Sequence, residues 1–151
     1  MVLRRLKRIS DLDKAALIKA LERFFHAREG VVFALLYGSI VELEIPEKYG
    51  DIDIAVYVKP EDLKIPGYVL ESKFEAEAHS FLSSMGLNLP PLEIIVINNA
   101  PYAFLVKLFK GKYIILMEDE EALADFIEEV GGRSMVNYHL RSESLREVLE
   151  G

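Results

Sequence analysis

Two short motifs carry the residues of this chain that are best suited to chemistry. Gly38-Ser39 ends one apolar run, and after eleven further residues Asp51 and Asp53 open the next. Residues two apart on a strand point to the same face, so both carboxylates should converge while Ile52 anchors the other side. Paired carboxylates beside a turn with free N–H groups can hold a divalent metal ion and the phosphates of a nucleotide. We therefore predict a chemical site here.

Two buried strands must position these residues. A continuous apolar run predicts a strand over residues 31–37, directly before Gly38. A second strand is predicted over residues 52–58, where Lys59-Pro60 ends it. Between them we expect a short helix after Ser39 and a loop over residues 46–50. Both motifs thus lie at the ends of neighbouring strands.

The rest of the chain reads as alternating helices and strands. A capping box at residues 10–13 predicts a first helix that ends near Gly30. Further elements follow from apolar spacing and from Pro and Gly punctuation: a helix over 69–82, a strand over 92–97, a helix from Pro101 to about 110, a strand over 113–117, and helices over 120–130 and 133–150. This order predicts an α/β (α+β) fold, a mixed sheet of about four strands backed by helices. We expect one domain over residues 1–151, with the C-terminal helices from about 119 included.

Composition and charge exclude several classes of function. The net charge is −7, and basic residues are grouped only at Arg4 to Arg8, so a long nucleic acid is an unfavourable partner. The apolar runs are too short to cross a bilayer, and no signal-peptide core follows the basic N-terminus, which predicts a cytoplasmic protein. Without cysteine there is no disulfide or thiolate chemistry. The absence of Gln and Cys beside abundant Glu and Lys leans towards a thermophile.

The motifs together resemble a known family. Gly38-Ser39, then Asp51-x-Asp53, and then Glu93 opening a later strand are similar to the minimal nucleotidyltransferases of the DNA polymerase β superfamily. The resemblance extends to residues 92–98, Ala100-Pro101 and residues 110–115, and it covers roughly residues 12–130 in the family's order. It implies the nucleotidyltransferase fold and the transfer of AMP from ATP to an acceptor hydroxyl.

The resemblance also implies a role for each motif residue. Asp51 and Asp53 would bridge two Mg²⁺ ions, and Glu93 would be the third carboxylate ligand. Gly38 would let the backbone approach the triphosphate, and Ser39 would give its hydroxyl and N–H group to the phosphates. Two features depart from the family pattern: the third acid is usually Asp, and basic residues often follow Gly-Ser, where residues 40–44 read Ile-Val-Glu-Leu-Glu.

Small members of this family resemble the antitoxin of a toxin–antitoxin module, whose partner is a helical HEPN toxin. That resemblance implies AMP transfer to a tyrosine of the toxin; the sequence is compatible with a homo- or a hetero-oligomer and does not decide the oligomeric state. One alternative keeps the fold but neutralises the partner by sequestration, with little or no catalysis. A third reading, transfer to a small molecule such as an aminoglycoside, would need further helical segments for the acceptor.

Overall fold

The structure, a computed structural model, describes residues 7–8, 11–42, 48–49, 51–87 and 91–131. Over these ranges it contains six strands, five α-helices and one 3-10 helix. In chain order they are β1 (Lys7–Arg8), α1 (Asp11–His26), β2 (Val31–Tyr37), α2 (Ser39–Glu42), β3 (Lys48–Tyr49), β4 (Ile52–Val58), the 3-10 helix (Pro60–Lys64), α3 (Gly67–Ser84), β5 (Leu92–Val96), α4 (Tyr102–Lys110), β6 (Tyr113–Glu118) and α5 (Glu120–Gly131).

Four of the strands form one mixed sheet in the order β5-β4-β2-β6. The central strand β2 is antiparallel to both β4 and β6, whereas β4 and β5 are parallel. A parallel pair needs a crossover connection, and α3 supplies it between β4 and β5. The predicted mixed four-stranded sheet with helices is confirmed.

Helices cover both faces of this sheet, which explains why β2 and β4 read as continuous apolar runs. On one face, side chains such as Leu36 and Ile54 pack with Phe25 of α1 and Phe74 of α3. On the other face, Leu35 and its neighbours pack with residues of α4 and α5, which include Leu105, Phe109, Leu123 and Phe126. The alternation of β4 between these two layers decides which way its acidic residue points.

The outer edge of β5 is covered by side chains of α3. The N–H of Ile94 donates to the Glu75 carboxylate, and the N–H of Val96 donates to the Glu71 carboxylate, both at 2.8 Å. Strand edges present unpaired backbone groups, and charged side chains are one means by which proteins cover them. Here the carboxylates accept the N–H groups directly.

Three local predictions were wrong. The first helix ends at His26, before the expected Gly30, because the chain tightens into a turn in which the N–H of Arg28 donates to the Phe25 carbonyl at 3.1 Å. A 3-10 helix occupies Pro60–Lys64, where no element was expected; proline suits a first helical position because its missing N–H needs no acceptor. The loop predicted over 46–50 contains β3, which pairs with β1. Two paired residues leave no periodicity to detect.

The helix predicted over residues 133–150 lies outside the described residues, and the extent of the domain over 1–151 stays a prediction. The preceding helix α5, Glu120–Gly131, matches the expected 120–130 closely. Within the described part of the chain, no helix combines the length and the apolar character needed to span a membrane.

Candidate functional site

One row of paired residues crosses all four strands of the sheet at the end where β2 stops. Tyr37 lies opposite Tyr113 on one side and opposite Asp53 on the other, and Asp53 lies beside Glu93. Directly paired residues on neighbouring strands project to the same face, so these four side chains share the face that α4 and α5 cover. The sheet therefore places two of the predicted carboxylates next to each other.

The three predicted acids lie at this end of the sheet, but in different environments. Asp53 is half-buried, whereas Glu93 and Asp51, one residue before β4, are exposed. Burial, together with the negative charges of Glu93 and then Asp51, raises the pKa of Asp53 to about 6. Both neighbours are therefore close enough to act on the Asp53 carboxyl group. Within the described ranges, no three acidic or histidine side chains are gathered closely enough to hold a metal ion as they stand.

Gly38 brings the main chain directly against Asp53. Its φ is +84°, in the left-handed region that favours glycine. A Cβ built on Gly38 would lie 3.3 Å from Cγ of Asp53 and would collide with Oδ2. The turn that was predicted to approach a phosphate thus packs its bare Cα against the central carboxylate. Any larger side chain would push that carboxylate away.

Ser39 begins α2, as predicted, but this helix is a single turn. The carbonyl of Gly38 accepts the N–H groups of Val41 and Glu42, both at 3.0 Å. The first N–H groups of a helix have no acceptor within the helix, and here they belong to Ser39 and Ile40. These two N–H groups are the ones that could donate to a ligand at this turn.

Tyr37 was not singled out from the sequence, yet it lies at the centre of the row. Burial raises the pKa of its phenol far above the ordinary value, and the negative charges of Asp53 and Glu93 add to the shift. The hydroxyl therefore stays protonated and remains a hydrogen-bond donor beside the carboxylates. The Tyr37 ring meets the ring of Phe104 edge to face, with centroids 6.1 Å apart.

A cavity of about 250 Å³ opens beside Gly38. Two of its lining residues, Lys107 and Lys112, are cations that were not predicted as site residues. The sequence prediction considered basic residues only between Ser39 and Asp51. The fold brings them in from α4 and from the turn before β6. The sequence signal for a cation near the site is Lys-Gly-Lys at 110–112, just before a strand. The lining residues are Tyr37, Gly38, Glu42, Phe104, Lys107, Leu108, Gly111 and Lys112.

Comparison with solved structures shows a shared fold. A re-refined structure of a tri-AMPylated Shewanella oneidensis HEPN toxin in complex with an MNT antitoxin is 16% identical, with a TM-score of 0.50, covering 92% of this chain and 95% of that chain. A structure of a mutant of the toxin–antitoxin MntA-HpeT is 15% identical, with a TM-score of 0.52, covering 90% of this chain and 94% of that chain.

Comparison with curated protein sequences gives no significant match. Comparison with family models does: residues 19–121 match the model described as polymerase beta, nucleotidyltransferase. The matched range includes the whole row of paired residues, the Gly38 turn and the cavity beside it. The chain belongs to the polymerase β family of nucleotidyltransferases.

Proposed function

We propose that this protein is a Mg²⁺-dependent nucleotidyltransferase that transfers AMP from ATP to a tyrosine hydroxyl of a HEPN toxin. The observation that carries the proposal is the position of Asp53. The sheet register sets it between Tyr37 and Glu93, and the bare backbone of Gly38 packs against it. Together with membership of this family, that position supports Asp53 as a carboxylate that faces the bound nucleotide.

The acidic residues suit a hard divalent cation. Mg²⁺ prefers carboxylate oxygens and completes its shell with water and substrate phosphates, so Asp51, Asp53 and Glu93 are the residues that would hold two such ions. Burial and repulsion from Glu93 and Asp51 raise the pKa of Asp53, and a bound cation would relieve that repulsion, which supports this fit. When bound, the ions would neutralise phosphate charge and favour the ionised attacking oxygen.

The reaction forms one bond and breaks one. The acceptor oxygen bonds to the α-phosphorus of ATP, the bond from that phosphorus to the pyrophosphate oxygen breaks, and the hydroxyl proton is released to solvent. The protein contributes mainly by positioning the reactants and by compensating charge. The Ser39 hydroxyl and the N–H groups of Ser39 and Ile40 would donate to phosphate oxygens. The neutral Tyr37 phenol would add a further donor.

Two features support a protein acceptor. The neighbouring structure contains a HEPN toxin that carries AMP groups, bound to an antitoxin with the same fold as this chain. The net charge of −7 also favours a partner with a basic surface, as expected of a protein that binds RNA. Both support a HEPN toxin as the acceptor, and the tyrosine is the acceptor residue that the family resemblance implies.

The test is a label-transfer experiment with a matched control. Purified protein, Mg²⁺, ATP labelled at the α-phosphate and a HEPN protein from a neighbouring gene are incubated together. Wild type should label the partner, and the Asp51→Ala/Asp53→Ala variant should not. Asp62→Ala is the control, because Asp62 also packs against a left-handed glycine, Gly30, at the other end of β2. A partner left unlabelled by wild type would overturn the proposal.

A specific observation favours a second function, sequestration of the toxin without catalysis. Glu93 is exposed, and the described carboxylates are not drawn together into a ready-made metal site. A protein of this kind would inhibit its partner by binding alone. In the same experiment, an unlabelled partner that is still inhibited by both wild type and Asp51→Ala/Asp53→Ala would establish sequestration.

A further inference from the structure

The segment that follows the Gly38-Ser39 turn cannot balance the charge of a triphosphate. Residues 40–44 contain two glutamates and no basic residue, and Lys48 is the single cation between Ser39 and Asp51. Phosphoryl and nucleotidyl transfer depend on positive groups that face the phosphate oxygens. The cations must therefore come from another part of the fold.

The cavity beside Gly38 supplies them. Lys107 reaches it from the last turn of α4, and Lys112 reaches it from the turn before β6. Among the described residues, neither lysine takes part in an ion pair. Gly111 lies between them, and a Cβ there would come within 3.4 Å of the Lys107 carbonyl and 3.5 Å of the Glu42 carboxylate. A side chain at Gly111 would therefore lie in van der Waals contact with residues that line the cavity.

The cavity lies across Gly38 from the carboxylates. Tyr37 pairs with Asp53 on one side and with Tyr113 on the other, and the cavity opens on the side from which α4 and the start of β6 approach. At about 250 Å³ it is slightly below the range of sites that enclose a whole ligand, so it suits part of a nucleotide. The two lysines that line the cavity favour the phosphate part of the nucleotide.

We propose that Lys107 and Lys112 bind the phosphate chain of a nucleoside triphosphate in this cavity. The inference rests on the proposed function and adds the phosphate-binding residues to it. The acids on one side of Gly38 and the ammonium groups on the other then divide the site into a metal-binding half and a phosphate-binding half. The Tyr37 and Phe104 rings, which meet edge to face, also line this cavity.

If the lysines only stabilise the fold, their substitution should have a different effect. Cations near the C-terminus of a helix interact favourably with its dipole, and Lys107 lies in the last turn of α4. Lys110 lies in the same turn but does not line the cavity, so it is a matched control for this effect. Glu42 lines the cavity with the opposite charge, and its neutralisation should act in the opposite direction.

The experiment measures binding without turnover. Equilibrium dialysis with labelled ATP or labelled AMP, in Mg²⁺ and without partner, gives affinities for wild type and for the Lys107→Met/Lys112→Met variant. Loss of two charge-assisted contacts should weaken ATP binding at least about tenfold, and AMP binding should change much less. Lys110→Met should bind ATP like wild type. Glu42→Gln should bind ATP more tightly, and Lys107→Arg/Lys112→Arg should retain most of the affinity.

The outcomes separate this inference from the proposed function. Equal ATP affinity for wild type and the methionine variant, with equal thermal unfolding midpoints, would overturn the role of the lysines and leave the transferase proposal standing. Lysine-dependent ATP binding in a protein that labels no partner would support the lysines and contradict the transferase. A wild-type protein that does not bind ATP at all would overturn both.

Discussion

The two ends of β2 are built alike and surrounded differently. Gly30 precedes the strand with φ of +88°, and Gly38 follows it with φ of +84°. At each glycine an aspartate carboxylate occupies the space that a Cβ would fill: Asp62 at Gly30 and Asp53 at Gly38. The left-handed glycine and its contact with an aspartate are the same at both ends, so this arrangement does not by itself make a reactive site.

What differs is the balance of charge around the two carboxylates. Asp62 is exposed and lines an open groove of about 590 Å³ in which three cations, Arg28, Lys59 and Lys73, alternate with acidic residues that include Glu61 and Glu77. Asp53 is half-buried, and the charges that shift its pKa come from other carboxylates. A half-buried carboxylate beside two other acids, held in place by sheet register, distinguishes the candidate site from an exposed surface turn with charges of both signs.

The largest expected effect comes from neutralising one aspartate at each end. Asp53→Asn should lower label transfer by about a thousandfold, since a charged group that acts on the transition state contributes on this scale. Asp62→Asn should leave transfer within about twofold of wild type, because its charge lies at the other end of the strand. Initial rates at saturating ATP provide the comparison, and equal losses in both variants would show that the two ends do not differ in function.

The next effect comes from adding one methyl group to each glycine. Both Gly38→Ala and Gly30→Ala should destabilise the protein by about 1–2 kcal/mol, the cost of a left-handed conformation with a Cβ. Only Gly38→Ala should also lower transfer, by about tenfold or more, because the methyl group displaces Asp53. Urea unfolding and transfer rates, measured on the same preparations, separate the two effects. A fully active Gly38→Ala protein would show that close contact with Asp53 is dispensable.

A smaller effect concerns pH and stability without metal. Because the pKa of Asp53 is raised from 3.8 to about 6, the folded protein holds a proton between these values that the unfolded chain has lost. Stability should therefore fall as the pH rises through this window. Asp53→Asn should remove this dependence and gain about 1 kcal/mol at pH 7, a value reduced by solvent screening of the half-exposed group. Thermal unfolding in EDTA at pH 3.5 and pH 7 measures it; a variant less stable at pH 7 would contradict the repulsion.

The smallest effect lies in the groove beside Asp62. Arg28 pairs with Glu77 and stacks over the ring of Phe24, with 5.1 Å between the guanidinium carbon and the ring centroid. Arg28→Met should cost about 0.5–1 kcal/mol of unfolding free energy, as is usual for surface pairs and exposed cation–π contacts. Transfer should not change. A strong loss of transfer would reveal function at this end of the strand as well.

The sequence predicted the parts of this fold that depend on periodicity and spacing. Apolar runs located β2 and β4, and the Asp-x-Asp alternation correctly set the isoleucines Ile52 and Ile54 on the face opposite Asp53. Contacts made only by chain folding could not be predicted in this way. Lys107 and Lys112 lie far along the chain from Gly38, and their approach depends on how α4 packs against the sheet. The shift in the pKa of Tyr37 likewise depends on its register with Asp53.

The two carboxylates that accept N–H groups of β5 also fix the position of α3 along this strand. Glu71 and Glu75 are one helical step of four residues apart, about 6 Å along the axis, and their acceptors Val96 and Ile94 are two strand residues apart, about 6.6 Å. Because the two repeats nearly match, sliding α3 along β5 would break both hydrogen bonds together. A foreign strand could not extend the sheet at this edge without displacing two charged groups.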